Sequence, residues 1–137
     1  MLSHACTEAE WLALAVKRRR AIDVLAENGQ WRAAYESLFF LAECCVKAAI
    51  ARRHRYNEWP RELHTHDLET LATRGGIIDD IRKMGQDNRK FADHWMIVAS
   101  LSDRRYTVSE LPNGFVNDVR IALIDPVDGV VKCLACI

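Results

Sequence analysis

Arg89 and His94 stand five residues apart in Asp87-Asn88-Arg89-Lys90-Phe91-Ala92-Asp93-His94-Trp95, an Arg-x4-His spacing. These two residue types suit cleavage of RNA without a metal or cofactor. A histidine can take the proton of a ribose 2′-hydroxyl or return one to the leaving 5′-oxygen. An arginine can grip the phosphate with two parallel N–H donors and offset the charge that grows in the transition state. Five steps along a helix turn about 500°, so the two side chains diverge by about 140°. They would flank a seam of Asn88, Phe91 and Trp95 and converge only if a second copy of the helix packed there. Asp87, seven residues before His94, lies near the same face, as an orienting partner or as an ordinary surface charge. Arg61 and His66 repeat the spacing. One of the two occurrences is therefore expected to be incidental.

Two further clusters carry polar groups of the right kind. In His64-Thr65-His66-Asp67-Leu68, the histidines are two apart and share no helical face. The simpler expectation is a helix start, capped by Thr65 or His66, with Asp67 in the first turn. Asp103-Arg104-Arg105-Tyr106 brings two guanidiniums and a phenol together. They could hold phosphate and stack a base, or simply close a helix whose negative end favours cations. Asn88 sits on an otherwise apolar seam and needs a hydrogen-bond partner there. The basic blocks Lys17-Arg18-Arg19-Arg20 and Arg52-Arg53-His54-Arg55 read first as solvated helix faces.

The elements that must position these residues are helical nearly throughout. Thr7-Glu8-Ala9-Glu10 is a capping box that starts a first helix, and Asn28-Gly29 should end it. Trp31, Tyr35, Leu38, Ala42, Cys45 and Ala49 step by four and three and predict a second helix to about Arg53–Arg55. The stretch from Tyr56 to Thr65, holding Pro60, reads as a loop, and a short helix from His66 to Thr73 follows. Ile77, Ile81, Met84, Asn88, Phe91, Trp95 and Val98 predict one long helix from Ile77 to Leu101, with Gly85 as its weak point. Two short helices close the chain, one over Gly114 to Leu123 and one starting at Asp125-Pro126 with Asp as cap. The expectation is a single all-α domain over residues 1–137, an up-and-down bundle of three long helices with short ones between and after them.

Composition narrows the classes of function. Nineteen basic residues balance nineteen acidic ones among 137, and half the chain is hydrophobic. That is an ordinary globular balance, not the basic surplus of a general nucleic-acid coat protein. The most apolar stretch, Tyr35 to Ala51, is broken by Glu36, Glu43 and Lys47, so no membrane span is expected. With no signal-peptide pattern at the N-terminus, a cytoplasmic location is expected. The five cysteines then read as reduced thiols. Cys133 and Cys136 form a C-x-x-C pair without a second pair in register, so they read as small buried hydrophobes rather than a zinc site.

The order of these features resembles the HEPN family, small helical domains of prokaryotes often encoded beside a minimal nucleotidyltransferase. A helix carrying Leu41-Ala42-Glu43-Cys44-Cys45-Val46-Lys47-Ala48-Ala49 comes first. After a loop, His66-Asp67-Leu68 with Leu71 is similar to that family's His-Asp-Leu helix start. A long helix and then Arg105-Tyr106 are similar to its Arg-Tyr ending, and an apolar helix closes the chain. The resemblance spans roughly residues 8 to 136. It implies a helical bundle that dimerises through its long helices. In many members a cleft between the two copies holds an Arg-x4–6-His ribonuclease site, carried here onto Arg89 and His94. Other members bind RNA or nucleotide, or partner a nucleotidyltransferase, without catalysis. This chain has Lys90 after the motif arginine, where the ribonucleases often have Asn, Asp or His, and Met96 two residues past the histidine, where the toxin subgroup often has Tyr. Together with Arg105-Tyr106, these departures favour a non-catalytic dimeric module that binds RNA or nucleotide, in a toxin–antitoxin or phage-defence setting. Arg104, Arg105, Tyr106 and Asn88 would serve it as phosphate- or nucleotide-binding residues, with Arg61, His66 and Asp67 as secondary candidates. The alternatives are a metal-independent endoribonuclease toxin using Arg89 and His94, and a purely structural helical subunit.

Overall fold

The computed structural model describes residues 5–101 and 113–137. Seven α-helices and one 3-10 turn lie among them, with no strand. They are α1 (Glu8–Glu27), α2 (Trp31–His54), the 3-10 turn (Arg61–Leu63), α3 (Leu68–Arg74), α4 (Ile78–Asp87), α5 (Arg89–Ala99), α6 (Asn113–Ile124) and α7 (Val130–Leu134).

Helix α1 begins on the expected capping box. The Thr7 hydroxyl accepts from the Glu10 N–H at 3.2 Å, and the Glu10 carboxylate accepts from the Thr7 N–H at 3.1 Å. These bonds, Thr7 first, hold the Glu10 carboxyl below the usual carboxylate range. The helix stops at Asn28, whose side-chain amide donates to the Val24 carbonyl, and Gly29 follows at φ +68. A residue with a Cβ would be strained in that left-handed turn. Only Trp11, Ala15 and Ile22 of α1 are buried, a narrow stripe laid against α2.

Helix α2 is the axis of the fold. From Phe39 to Ala51 every residue except the half-buried Phe40 is buried, so neighbours must cover it on all sides. Helices α1, α3, α6 and α7 all pack on it. The Tyr35 hydroxyl donates to the Leu101 carbonyl at 3.0 Å and ties the start of α2 to the region after α5. Helix α3 comes so close that a Cβ on Gly75 would sit 2.3 Å from Ile50 Cδ1. The basic block at the C-terminal end of α2 is a solvated face, with Arg53, His54 and Arg55 exposed, and two of its arginines are also tied into the fold. Arg52 pairs with Glu8 and reaches the Leu134 and Ile137 carbonyls, and Arg53 pairs with Asp80 and bonds the Gly76 carbonyl. These cations also suit the negative end of the helix.

Three expected boundaries move. The helix foreseen over Ile77 to Leu101 is two helices, broken at Asn88. Asn88 ends α4 in an extended conformation (φ −136, ψ 99) and caps α5 by accepting from the Phe91 N–H at 3.1 Å. Its amide donates to Asp128 Oδ1 at 2.8 Å. The break turns α5 back against α4, and the close approach falls at Gly85, where an added Cβ would lie 3.2 Å from the Ala92 Cβ. The apolar seam survives on both halves: Ile77, Ile81, Phe91, Trp95 and Val98 are buried. Second, α3 starts at Leu68, with Asp67 as its cap in place of Thr65 or His66. Asp67 Oδ1 accepts from the Thr70 N–H at 2.9 Å. Third, Asp125 does not cap the last helix. Its carboxylate accepts from the Val127 and Asp128 N–H groups, which makes a tight turn, and α7 begins after Gly129.

The break at Asn88 gives the first prediction. Asn88→Ala removes a helix cap and the Asp128 contact together, so it should destabilise the fold by about 2 kcal/mol in urea denaturation. Asn88→Asp keeps the acceptor for Phe91 but sets a carboxylate against Asp128, and should recover only part of that loss.

Candidate functional site

Arg89 and His94 share α5 but leave it in different directions, as the helical spacing requires. Arg89 stands in the first turn and its side chain is about 90% exposed, with a long contact of 3.6 Å to Asp93. It lines a groove of about 480 Å³ between α4 and α5, walled by Arg82, Gln86, Phe91, Trp95 and Met96. His94 faces the Asp125–Asp128 turn instead. Its Nδ1 donates to the Asp128 carbonyl at 2.9 Å, so the orienting partner is that carbonyl and not the Asp87 side chain. Since a carbonyl can only accept, Nδ1 carries the proton and the lone pair of the neutral ring lies on Nε2. Lys90 sits on the same side as His94. The Asp128 and Val127 N–H groups hold the Asp125 carboxyl below the usual carboxylate range, and the His94 and Lys90 charges add to the effect. One chain therefore does not bring Arg89 and His94 into a single site.

Asn88 is a structural cap tied to Asp128. Arg61 lies exposed in the 3-10 turn and His66 in the loop beyond it, so their five-residue spacing has no helical meaning. Asp67 is spent on capping α3. Arg104, Arg105 and Tyr106 lie outside the described residues.

A polar cluster crosses the seam between α1 and α2. Glu43 and Lys47 sit one turn apart on α2, each side chain about 8% exposed, with Nζ 3.3 Å from Oε2. The other Glu43 oxygen, Oε1, is 2.6 Å from His66 Nδ1. The Lys47 ammonium rests over the Trp11 ring at 4.7 Å and the Trp59 ring at 5.8 Å. From α1 the Arg18 guanidinium lies 4.8 Å over Phe40 of α2, and Phe39 lies beside His66 at 6.4 Å. Trp11 Nε1 is buried and, among the described residues, has no hydrogen-bond partner.

The sequence held a sign of this cluster. Glu43 and Lys47 are spaced i, i+4 with the acid first, the favourable order for a helical ion pair, inside an otherwise apolar run. By residue type alone they stand out only as interruptions of that run. Which loop residue closes on Glu43 depends on the path of the chain between α2 and α3.

The neighbouring thiols are inert by burial. Desolvation first, and then the Glu43 charge, push Cys44 up to about 11. Burial and Cys44 push Cys45 up to about 12. Among the described residues, no three His, Cys, Asp or Glu side chains gather as a metal-binding group, and no helix is long and apolar enough to cross a membrane.

Removing one member of a buried ion pair strands the other. Lys47→Met should cost about 3–5 kcal/mol in chemical denaturation, whereas Glu43→Leu combined with Lys47→Met should come back close to the parent. Thiol labelling at pH 8 should follow thiolate content. The exposed Cys136 should react ahead of Cys44 and Cys45, which should label only as the protein unfolds.

No family model, curated protein or solved structure matches this chain.

Proposed function

We propose that the chain is a HEPN-like helical module that binds the phosphate of RNA or of a nucleotide without cleaving it. It acts as a homodimer and in company with a nucleotidyltransferase-type partner in a toxin–antitoxin or phage-defence setting. The observation that carries the binding reading is the charge at the start of α5. Arg89 and Lys90 occupy the first turn, and no acidic residue shares it. A helix N-terminus is already positive and disfavours cations by roughly 0.3–1 kcal/mol each. An anion there relieves both unfavourable terms at once.

The groove suits such an anion. Arg82 and Arg89 stand beside it with contacts of 3.8 and 3.6 Å to Asp79 and Asp93. Exposed pairs of that length hold the guanidiniums by no more than about 1 kcal/mol, so both can turn to a phosphate. Trp95 and Met96 supply an apolar wall, and Met96 is 71% exposed. That wall is the face on which a second copy would pack.

The ribonuclease reading keeps one supporting observation: the Asp128 carbonyl leaves the lone pair of neutral His94 on Nε2, the form a general base needs. It requires an arginine delivered from a second chain. Against it stands the use of His94 as a clamp on the Asp125–Asp128 turn.

The test is binding of a short 5′-labelled single-stranded RNA at low salt, with EDTA present. Wild type should bind without cutting. Arg82→Ala/Arg89→Ala should weaken binding at least about tenfold and lower the salt slope by about 0.7 for each phosphate that is no longer held. Unchanged affinity in the double variant, or no binding by wild type, would overturn the reading. EDTA-resistant cutting abolished by His94→Ala would install the ribonuclease in its place. Sedimentation at the same concentrations should show a dimer that Met96→Glu dissociates.

A further inference from the structure

Cys133 and Cys136 line no part of the α4–α5 groove and need no phosphate bound there. Cys133 lies in the last turn of α7 and Cys136 in the turn that follows, both as free thiols. The Cys136 N–H donates to the Cys133 carbonyl at 3.0 Å, so one tight turn joins them. Residues three apart in such a turn have α-carbons closer than about 7 Å, and a disulfide spans about 4.4–6.8 Å. A side chain in a helical turn lies back over the residues three and four before it. The Cys136 thiol does so. Its Sγ is 3.7 Å from the carbonyl of Lys132, four residues back, and the residue three back is Cys133. A thiol is a weak donor, so the Lys132 carbonyl holds it lightly.

The two thiols differ in access. Cys136 is exposed, whereas Cys133 is only 7% exposed. A small disulfide in solution meets the first and not the second. Burial first, then the Asp128, Cys136 and Asp125 charges, push the Cys133 thiol up, so Cys136 lies near enough for its charge to act there. Such a thiol attacks slowly near neutral pH and is a poor leaving group, so a bond to it forms slowly and resists reduction. Cys44 and Cys45 are both buried in α2 and offer no exposed sulfur for entry. The turn also bears on the fold. It hands the Leu134 and Ile137 carbonyls to Arg52, each at 3.3 Å, and Arg52 pairs with Glu8.

We propose that Cys133 and Cys136 are a redox-active pair that forms a reversible disulfide by exchange with low-molecular-weight disulfides, and that the bond fastens the turn beneath Arg52. With glutathione disulfide, the Cys136 thiolate attacks one sulfur and expels glutathione thiolate, which takes up a proton. The Cys133 thiol then gives its proton to solvent. Its sulfur attacks the Cys136 sulfur of the mixed disulfide and expels the second glutathione. The two protein sulfurs lose two electrons, and glutathione disulfide gains them to become two thiols. Where thiols are kept reduced, a pair of this kind is oxidised only transiently, as a sensor.

The experiment is incubation of the reduced full chain with glutathione disulfide, followed by acid quenching, intact mass and peptide mapping. Wild type should lose two hydrogens and keep no glutathione on Cys136, with the bond mapped between Cys133 and Cys136 and opened by dithiothreitol. Cys133→Ser should stop with one glutathione on Cys136, and Cys136→Ser should leave Cys133 unmodified. The Cys136 and Ile137 amides bond the Cys133 and Leu134 carbonyls. They should exchange about tenfold more slowly in the oxidised chain, as a cross-linked turn opens less often. If Cys133→Ser folds poorly, the pairing mapped in wild type decides alone. A bond between Cys6 and Cys136, a glutathione that stays on wild-type Cys136, no oxidation, or amide exchange unchanged by oxidation would each overturn the proposal.

Discussion

The burial of α2 is the constraint on which the other elements depend. A helix with an apolar stripe needs one partner, but a helix buried on every side needs a sleeve. Helix α1 covers one side, α3 approaches within the space only Gly75 allows, and α6 and α7 complete the cover. The long connection from α2 to α3, with its 3-10 turn, follows from the same demand. It carries the chain back along α2, places Trp59 beside Trp11 at 5.0 Å, and leaves His66 over the middle of the helix. Arg52 and Arg53 then fasten α1, α4 and the chain's end to the last turn of α2.

Within that sleeve the polar exceptions are satisfied in sequence. Glu43 shares its two oxygens between Lys47 and His66, and Lys47 places its ammonium against two indole faces. Aromatic faces can stabilise a desolvated cation by about 2 kcal/mol or more, which offsets part of its lost hydration. The cluster couples the interior of α2 to an exposed imidazole. A surface residue is thereby oriented by the most completely buried helix of the fold.

The break at Asn88 does comparable work for α5. A continuous helix would hold Arg89 and Lys90 mid-helix, away from any helix end. Ending α4 and restarting at Arg89 makes them first-turn residues beside unpaired N–H groups. The same asparagine engages Asp128, whose carbonyl also accepts from the His94 Nδ1–H. The two residues of the Arg-x4-His pattern are thus divided between a groove and a clamp.

Local patterns were legible from residue types alone. The Thr7 capping box, the stop at Asn28-Gly29, the apolar seam of α2 and the all-helical class rest on interactions within a few residues, which spacing encodes directly. The break at Asn88 was only half legible. Its polarity on an apolar seam signalled a need for a partner, but the partner, Asp128, is 40 residues away. The same holds for His66 and Glu43, which are 23 apart, and for His94 and the Asp128 carbonyl, 34 apart. The sequence by itself determined the helical class and which faces are apolar, because propensity, capping and periodicity act over a turn or two. Only the tertiary structure decided which histidine meets a buried carboxylate and which is consumed as a clamp, because those pairings depend on how the loops return the chain to α2 and α5.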